Sequence, residues 1–505
     1  MSPIVVLGAG LAGLSAAIEA AENGYEVTVV SPKPSERAQS VMAEGGMNAA
    51  LGEGDSPKRH FEDTIKAGRF LADPEAVMGM ANAAPGIARR LRSLGTMFNI
   101  RGDEMDLRAF GGQKTRRTVF AQSSTGKQIM SAVIQEARKY EFKGLIRRLS
   151  RHALSGLLLS GNGCTGCEVQ DVYTGESLSL AGSVIAALGG MNGLFNRYTG
   201  SQDNTGAATA ILFQSGASLA NGEFIQYHPT TAAIPGKRIL ISEAARSEGG
   251  RLFCLKNGKP FYFMEEKDPE LKNLAPRDVI TREMAFLGEQ AYLDLTPISN
   301  DAFRTRLSGT LEDCLTYLRL DPRKKPIPVE PGIHYFMGGL LVDIRHQTNV
   351  PGLYAAGECC YQYHGANRLG GNSLLGAIYG GIIAARSAMA DGCPTGRGKV
   401  AFVQETQPTQ DRLAMQNAMS SGLGPIRDKA GLERLVNTLE RLDKSVPLLA
   451  KAIAISALNR KESRGAHCRS DFPNENSEIK NSVASANGRE VLFSAREAAN
   501  YGVHA

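Results

Sequence analysis

Ile4-Val5-Val6-Leu7 is a short apolar run that passes directly into Gly8-Ala9-Gly10-Leu11-Ala12-Gly13, and Leu14 to Ala21 follows at helical period. A strand buried on both faces is built from such a continuous run. Gly24 closes the helix, and Val27-Thr28-Val29-Val30 makes a second strand. Three glycines at this spacing are a weak signal alone, but between a strand and a helix each has a task. Gly8 makes the tight turn, Gly10 lets backbone approach a pyrophosphate, and Gly13 lets helix and strand pack closely. The order predicts an α/β fold with a doubly wound parallel sheet that binds a dinucleotide at a helix N-terminus.

Ser31 stands where an acidic residue commonly holds ribose; a serine can hydrogen-bond a ribose but does not choose between NAD and FAD. The choice comes from farther down the chain. Arg37 to Ala50 is a small-residue loop containing Ser40, Gly45 and Gly46, and Val184 to Gly190 is another strand running into glycine. Gly352 to Glu358 repeats that form, and Asn367 to Leu375 opens a helix that should run to about Met389. A nucleotide domain assembled from such distant stretches, with an insertion between them, suits a long ligand such as FAD. The 56 glycines in 505 residues, about 11% against a usual ~7%, fit backbone cut close around a ligand.

Several classes are excluded or left without support. Net charge of +6 is too mild and dispersed for nucleic acid. Eight cysteines, scattered apart from Cys164/Cys167 and Cys359/Cys360, do not make a disulfide framework. Cys164-Thr165-Gly166-Cys167 lacks a second pair at metal spacing, so a turn with two buried thiols is expected and no metal site. No apolar run reaches ~18 residues and the first thirty lack a signal-peptide pattern, so a cytoplasmic protein without direct membrane insertion is expected.

Many short motifs then occur in one order: Gly45-Gly46, Phe110-Gly111-Gly112, Gln226-Tyr227-His228-Pro229-Thr230, Ser242 to Gly250, Pro276-Arg277-Asp278, His334 to Gly339, His364 to Arg368, and Glu462 to His467. With them the chain resembles the flavoprotein subunits of the succinate dehydrogenase/fumarate reductase family, which also contains L-aspartate oxidase. The resemblance runs from residue 4 to about 473. It implies a split FAD-binding domain (1–221 and 341–395), an inserted α+β capping domain (222–340), and a C-terminal helical segment with a tail (396–505). The last thirty or so residues carry no recognisable element.

The resemblance further implies FAD contacts at Gly8, Gly10, Ala12, Gly13, Ser31, Ser40, Gly45, Gly46, Ala187, Gly189, Gly357, Glu358, Arg368, Ser373 and Leu374. A four-carbon dicarboxylate would be held by Phe110, His228, Ser242, His334 and Arg368, an arginine being the natural bidentate partner of a carboxylate. Arg277 occupies the position of the family's proton donor, with Glu243 and Arg246 as its relay and His334 and Arg368 polarising the substrate. Taken singly, each of these has a plainer reading as a satisfied buried histidine or a structural ion pair.

Departures sharpen the expectation. Gln39 replaces the histidine that links flavin covalently in membrane-bound members, so FAD should be non-covalent, which in the family favours fumarate reduction over succinate oxidation. Phe110 stands where L-aspartate oxidases usually carry a glutamate able to face an ammonium group. Asn204-Thr205-Gly206-Ala207-Ala208 lacks a usual aspartate, and Ser242 replaces threonine. The short C-terminal part puts docking to an iron–sulfur subunit, and through it to a membrane, in question. Three readings stand: fumarate/succinate oxidoreductase; L-aspartate oxidase or a reductase of a related unsaturated carboxylate; and a catalytically dead FAD-binding scaffold.

Overall fold

A computed structural model describes residues 2–401, 409–442 and 445–498. The stretches 402–408, 443–444 and 499–505, which fall within the expected C-terminal segment and tail, lie outside the described residues.

The N-terminal pattern folds as its glycines demand. Strand Ile4–Leu7 and strand Val27–Ser31 flank helix Leu11–Glu22, and they sit in a five-stranded, all-parallel sheet. Its order is Leu353–Ala355, Ser183–Ala186, Ile4–Leu7, Val27–Ser31, Ile146–Ser150. Strands from residues 4 and 353 therefore share one sheet, and the nucleotide unit is split as expected. One face is covered by helices Leu11–Glu22, Thr125–Phe142 and Asn372–Asp391 around Val6, Leu14, Val29 and Ile185. The other packs Val5, Leu7 and Val184 against Leu157, Cys164, Cys167 and Val169 of an antiparallel sheet. A Cβ on Gly13 would overlap the Gly8 carbonyl oxygen, so only glycine permits this helix–strand contact.

Helix Asn372–Asp391 is long and apolar enough to cross a membrane by length and composition. It instead packs into the core beside the first helix, burying Leu375, Ile378, Ala384 and Ala388.

The insertion builds a six-stranded antiparallel sheet, ordered Lys237–Leu240, Ile225–Ile234, Ile327–Phe336, Ala291–Asp294, Arg251–Lys256, Lys259–Phe261. It has its own core of Ile241, Leu252, Ile280, Leu293, Phe303 and Val329. Helices Thr409–Gly422, Lys429–Glu440 and Ser445–Asn459 share a further core with Phe195, Phe213 and Tyr227.

Two expectations need correction. The chain past residue 473 does carry elements: strands Lys480–Asn487 and Glu490–Glu497 form a hairpin that pairs with Leu219–Ala220. Val483 and Ala484 are buried there while most of the outer strand is exposed, and so one-sided a pattern is weak in sequence. Cys164 and Cys167 lie in strand Gly163–Asp171 rather than in a turn. Both thiols are buried, and burial pushes Cys164 up to about 12. Among the described residues no group of His, Cys, Asp and Glu could hold a metal.

Candidate active site

A single elongated cavity of about 500 Å³ runs from the Gly8–Ala12 turn to the face of the inserted unit. At the nucleotide end it is walled by Gly8, Gly10, Ala12, Ser31, Ser40, Gly45, Gly46, Ala187, Gly189, Gly357, Glu358, Ser373 and Leu374. Gly13 is absent from that wall; its place is in the helix–strand contact.

The local reasons are plain. Gly357 takes φ +78 and faces Ala12, where a Cβ would come within 2.9 Å of the Ala12 methyl. Ser40 Oγ accepts from the Leu11 N–H at 3.3 Å, tying the loop after the second strand to the first helix N-terminus. Ser31 Oγ donates to the Lys33 carbonyl at 2.6 Å. Asn204 also borders the cavity, its Nδ2 buried and without a partner beside Gly189. The Phe336 N–H donates to Glu358 Oε1 at 3.1 Å, and burial raises the Glu358 carboxyl to about 7.

At the far end His228, Ser242, Glu243, Arg277, His334, Arg368 and Phe110 come together from six separate stretches of chain. Phe110 is wedged between Gly45 and Gly370; a Cβ on either would lie within about 3 Å of its side chain, at 2.9 and 3.0 Å. Ser242 caps helix Glu243–Ser247, its Oγ accepting from the Ala244 N–H at 3.4 Å. That cap turns Glu243 inward.

Glu243 Oε2 accepts from Arg277 Nε at 2.8 Å and forms an ion pair with its Nη2 at 2.6 Å, while its Oε1 accepts from the Gly111 N–H at 2.9 Å. Burial would push this carboxyl up, but the Arg277 and Arg246 guanidiniums overcome it and hold it at about 2. Arg246 Nη2 lies 3.8 Å from the same oxygen, fully buried and behind the cavity wall rather than in it. Arg246 Nη1 donates to the Asn273 carbonyl at 2.6 Å. The three groups thus form a line, Arg246–Glu243–Arg277, whose inner end borders the cavity.

The two imidazoles sit edge to face with centroids 5.2 Å apart. His228 Nδ1 accepts from the Thr230 N–H at 3.3 Å, so its neutral ring carries the proton on Nε2, which is buried and unpartnered. Thr199 Oγ1 engages His334 Nδ1 at 3.0 Å. Burial, then Arg277, lowers both rings well below the usual histidine range, so they act as neutral groups at pH 7. Arg368 lies over the Tyr335 ring at 4.3 Å with its Nε unpartnered, and burial and Arg277 bring it down to about 9. A chamber holding two cationic forks and two neutral imidazoles is suited to a small dianion.

Gln226 was not singled out from the sequence, although it opens the motif that contains His228. Its Oε1 accepts from Arg277 Nη1 at 2.9 Å, and its Nε2 donates to the Arg368 carbonyl at 2.9 Å and Asn367 Oδ1 at 3.0 Å. Strand period sets residues 226 and 228 on one face, a signal that could have found it. The pairing slips between Gln226 and Tyr227, and Gln226 contacts Arg277 without lining the cavity.

The same pattern is found in known proteins. A family model described as an FAD binding domain matches residues 3–374, and one described as the fumarate reductase flavoprotein C-terminus matches 444–499. The chain is 39% identical to the succinate dehydrogenase flavoprotein subunit of Bacillus subtilis, over 94% of this chain and 92% of that one. It is 38% identical to the L-aspartate oxidase of Caulobacter vibrioides, over 93% of each. Among solved structures, a mutant E. coli quinol fumarate reductase superposes with TM-score 0.92 at 27% identity, covering 100% of this chain and 97% of the other. The glycine-lined groove at a helix N-terminus, with the unpartnered Asn204 amide beside it, fits the FAD that such a domain carries.

Proposed function

The chain belongs to the succinate dehydrogenase/fumarate reductase flavoprotein family, and from that premise we propose that it interconverts fumarate and succinate, reduction being the favoured direction. One observation carries the reading: Arg246, Glu243 and Arg277 are aligned on a chamber that also holds Arg368, His228 and His334. A two-electron reduction of a carbon–carbon double bond needs a hydride at one carbon and a proton at its neighbour. FAD, when bound along the glycine-lined groove, supplies the hydride chemistry at its N5.

The protein's own residues do the rest. Arg368 offers its free Nε–H and fork to one carboxylate, and His228 offers an Nε2–H. These donors favour the enolate-like charge that builds on that carboxylate as the hydride arrives. Arg277 donates its Nε–H to Glu243 and one Nη1–H to Gln226, with Nη2 paired to Glu243, which leaves Nη protons for the substrate carbon. A guanidinium gives up a proton only to a strongly basic carbon, and only if it is restored at once. Glu243, held ionised by the two guanidiniums, contacts Arg277 and lies 3.8 Å from Arg246, so it would carry a proton from Arg246 back to Arg277, and the proton Arg246 gives up would be replaced from solvent before the next turnover. Phe110 and Tyr335 add aromatic surface to the lining of the chamber.

Gln39 borders the cavity where a linking histidine would stand, which supports non-covalent FAD. In this reading the protein works in the cytoplasm as the flavoprotein subunit of a larger enzyme, taking electrons from an iron–sulfur partner at the membrane's inner face. The near-equal identity to an L-aspartate oxidase keeps oxidation of aspartate as the second reading. Phe110 weighs against it, because a phenyl ring gives an ammonium group no carboxylate partner.

The test is to reduce the purified yellow protein with dithionite and mix it anaerobically with fumarate, then with iminoaspartate. Flavin reoxidation by fumarate that is lost in Arg277→Ala supports the reading. Reoxidation by iminoaspartate alone moves the assignment to the second reading, and reoxidation by neither leaves a scaffold. On a denaturing gel flavin fluorescence should leave the protein band; fluorescence that stays with the band refutes the non-covalent assignment.

A further inference from the structure

Between helices Pro57–Ala67 and Pro74–Ser93 the chain turns left-handed twice in succession, at Arg69 (φ 54) and Phe70 (φ 60). Two consecutive non-glycine residues in that region persist only where surrounding contacts hold them. Here the Phe70 N–H donates to the Ile65 carbonyl at 3.1 Å, the Ala366 N–H donates to the Gly68 carbonyl at 2.9 Å, and Arg464 Nη1 donates to the Arg69 carbonyl at 3.1 Å. The turn is thus clamped by the loop that carries Arg368 and by the C-terminal segment.

What the turn presents is the Arg69 guanidinium. Its Nη2 lies 3.3 Å from Asp278 Oδ2 and its Nη1 lies 4.0 Å from Glu475 Oε1. Asp278 follows Arg277 in the chain, and its side chain is 0% exposed against 34% for Arg69. Its other partners are Arg282 Nη2 at 3.6 Å, on the same helix, and Asn367 Nδ2 at 3.1 Å, beside Arg368. Among the described residues two ion pairs within 4.0 Å join residues 222–340 to the rest of the chain: Glu223–Arg460 at 2.6 Å, at the base of the unit where the chain enters it, and Arg69–Asp278, which reaches residues 225–336 beyond that base. The inserted unit is tied covalently through the paired strands Ile225–Ile234 and Ile327–Phe336, so its closure depends on non-covalent contacts. Other contacts across the join are hydrogen bonds: the Gly111 N–H donates to Glu243 Oε1 at 2.9 Å and Asn367 Nδ2 to Asp278 Oδ1 at 3.1 Å, while Ser247 Oγ to the Ala109 carbonyl at 3.3 Å and Ser123 Oγ to the Arg306 carbonyl at 3.2 Å are neutral.

We propose that Arg69 is the latch of the inserted unit: a positioning residue that reaches from the nucleotide-binding part to the buried Asp278 and so holds the adjacent Arg277 over the cavity. The proposal rests on the reaction assigned above for its kinetic consequence, not for its geometry. Opening the unit must either break this pair or drag the strained turn along with it, so the pair biases the unit toward the closed state. An exposed pair does little, but Asp278 is without solvent, and breaking the pair leaves its carboxylate with Arg282, 3.6 Å away on the same helix, as its one remaining cation within 4.0 Å among the described residues.

The test uses the FAD-loaded protein with Arg69→Asn, since asparagine tolerates the left-handed turn and carries no charge, and Arg69→Lys, which keeps the charge. Iodide quenching of flavin fluorescence reads opening without turnover, and kcat and KM for fumarate read the chemistry. Arg69→Asn should at least double the quenching constant and lower kcat about tenfold at unchanged FAD content, with Arg69→Lys restoring much of both. Unchanged quenching in Arg69→Asn overturns the latch, whatever happens to kcat. An equal loss of kcat in both variants also overturns it, since that marks damage to the turn. A wild-type protein inert toward fumarate would sink the assigned reaction alone, and quenching would still decide the latch.

Discussion

Replacing Gln226 by leucine removes one side chain that contacts both arginines of the chamber while standing outside the cavity wall. Three bonds vanish: the one from Arg277 Nη1 at 2.9 Å, and those to the Arg368 carbonyl at 2.9 Å and Asn367 Oδ1 at 3.0 Å. The first is charge-assisted, worth about 1.5–3 kcal/mol, and the other two leave buried acceptors that cost about 1 kcal/mol each or more. A stability loss of about 3–5 kcal/mol follows, measurable as a lower urea midpoint. Arg277 keeps its hydrogen bond and ion pair with Glu243, so it stays charged and near the cavity but loses the restraint on Nη1. Misplacing a proton donor by about 1 Å costs on the order of 10²-fold in kcat. Gln226→Glu separates the two contacts. It keeps an acceptor for Arg277 but turns a carboxylate toward two acceptor oxygens, so it should disturb the Arg368 loop and raise KM more than it lowers kcat. Anaerobic stopped-flow of the reduced enzyme with fumarate resolves both. If Gln226→Leu retains FAD and stays within about threefold of wild-type kcat, the bond to Nη1 does not position Arg277 and the reasoning fails.

Gly13→Ala should abolish FAD loading and folding together, because its Cβ would overlap the Gly8 carbonyl oxygen; soluble yellow protein would refute this. The Glu44 carboxyl is raised from 4.5 to about 8 by burial and by Asp313, against Arg108, so the folded state keeps a proton that the unfolded chain releases. Stability should therefore fall as pH rises from about 4.5 to about 8 and level off above, and Glu44→Gln should flatten that slope by on the order of 1–2 kcal/mol in melts at pH 5 and pH 8. Seven of the eight cysteines are buried and Cys393 is half-buried, so a thiol reagent should find about one fast thiol in the native protein and eight after denaturation. Several fast thiols would contradict the packing around Cys164 and Cys167.

Local chemistry made much of the fold readable. Gly8, Gly10 and Gly13 in their strand–helix setting specify a βαβ turn because backbone geometry and close packing act within a dozen residues. The recurrence of strand-into-glycine segments near residues 184 and 353 likewise foretold that both stretches would join one sheet. The hairpin at 480–497 was not readable, since only its inner strand buries side chains and its partner lies some 260 residues earlier. Candidate residues could be named one by one, but not what each does there. Arg246 proves to stand behind the wall and Gly13 within the packing, while Gln226, never singled out, links the two arginines.

The sequence by itself determined the nucleotide-binding βαβ unit, the insertion in it and the chemical kinds of side chain available. The tertiary structure alone decided which of them share a chamber, that Glu243 stays ionised between two guanidiniums, and that Arg69 reaches Asp278 across two parts of the chain. The division has a physical reason. Turn geometry and strand burial are set by neighbours in sequence, whereas charge state and hydrogen-bond partners depend on burial and on groups hundreds of residues away, which only the closed fold brings within 3–4 Å.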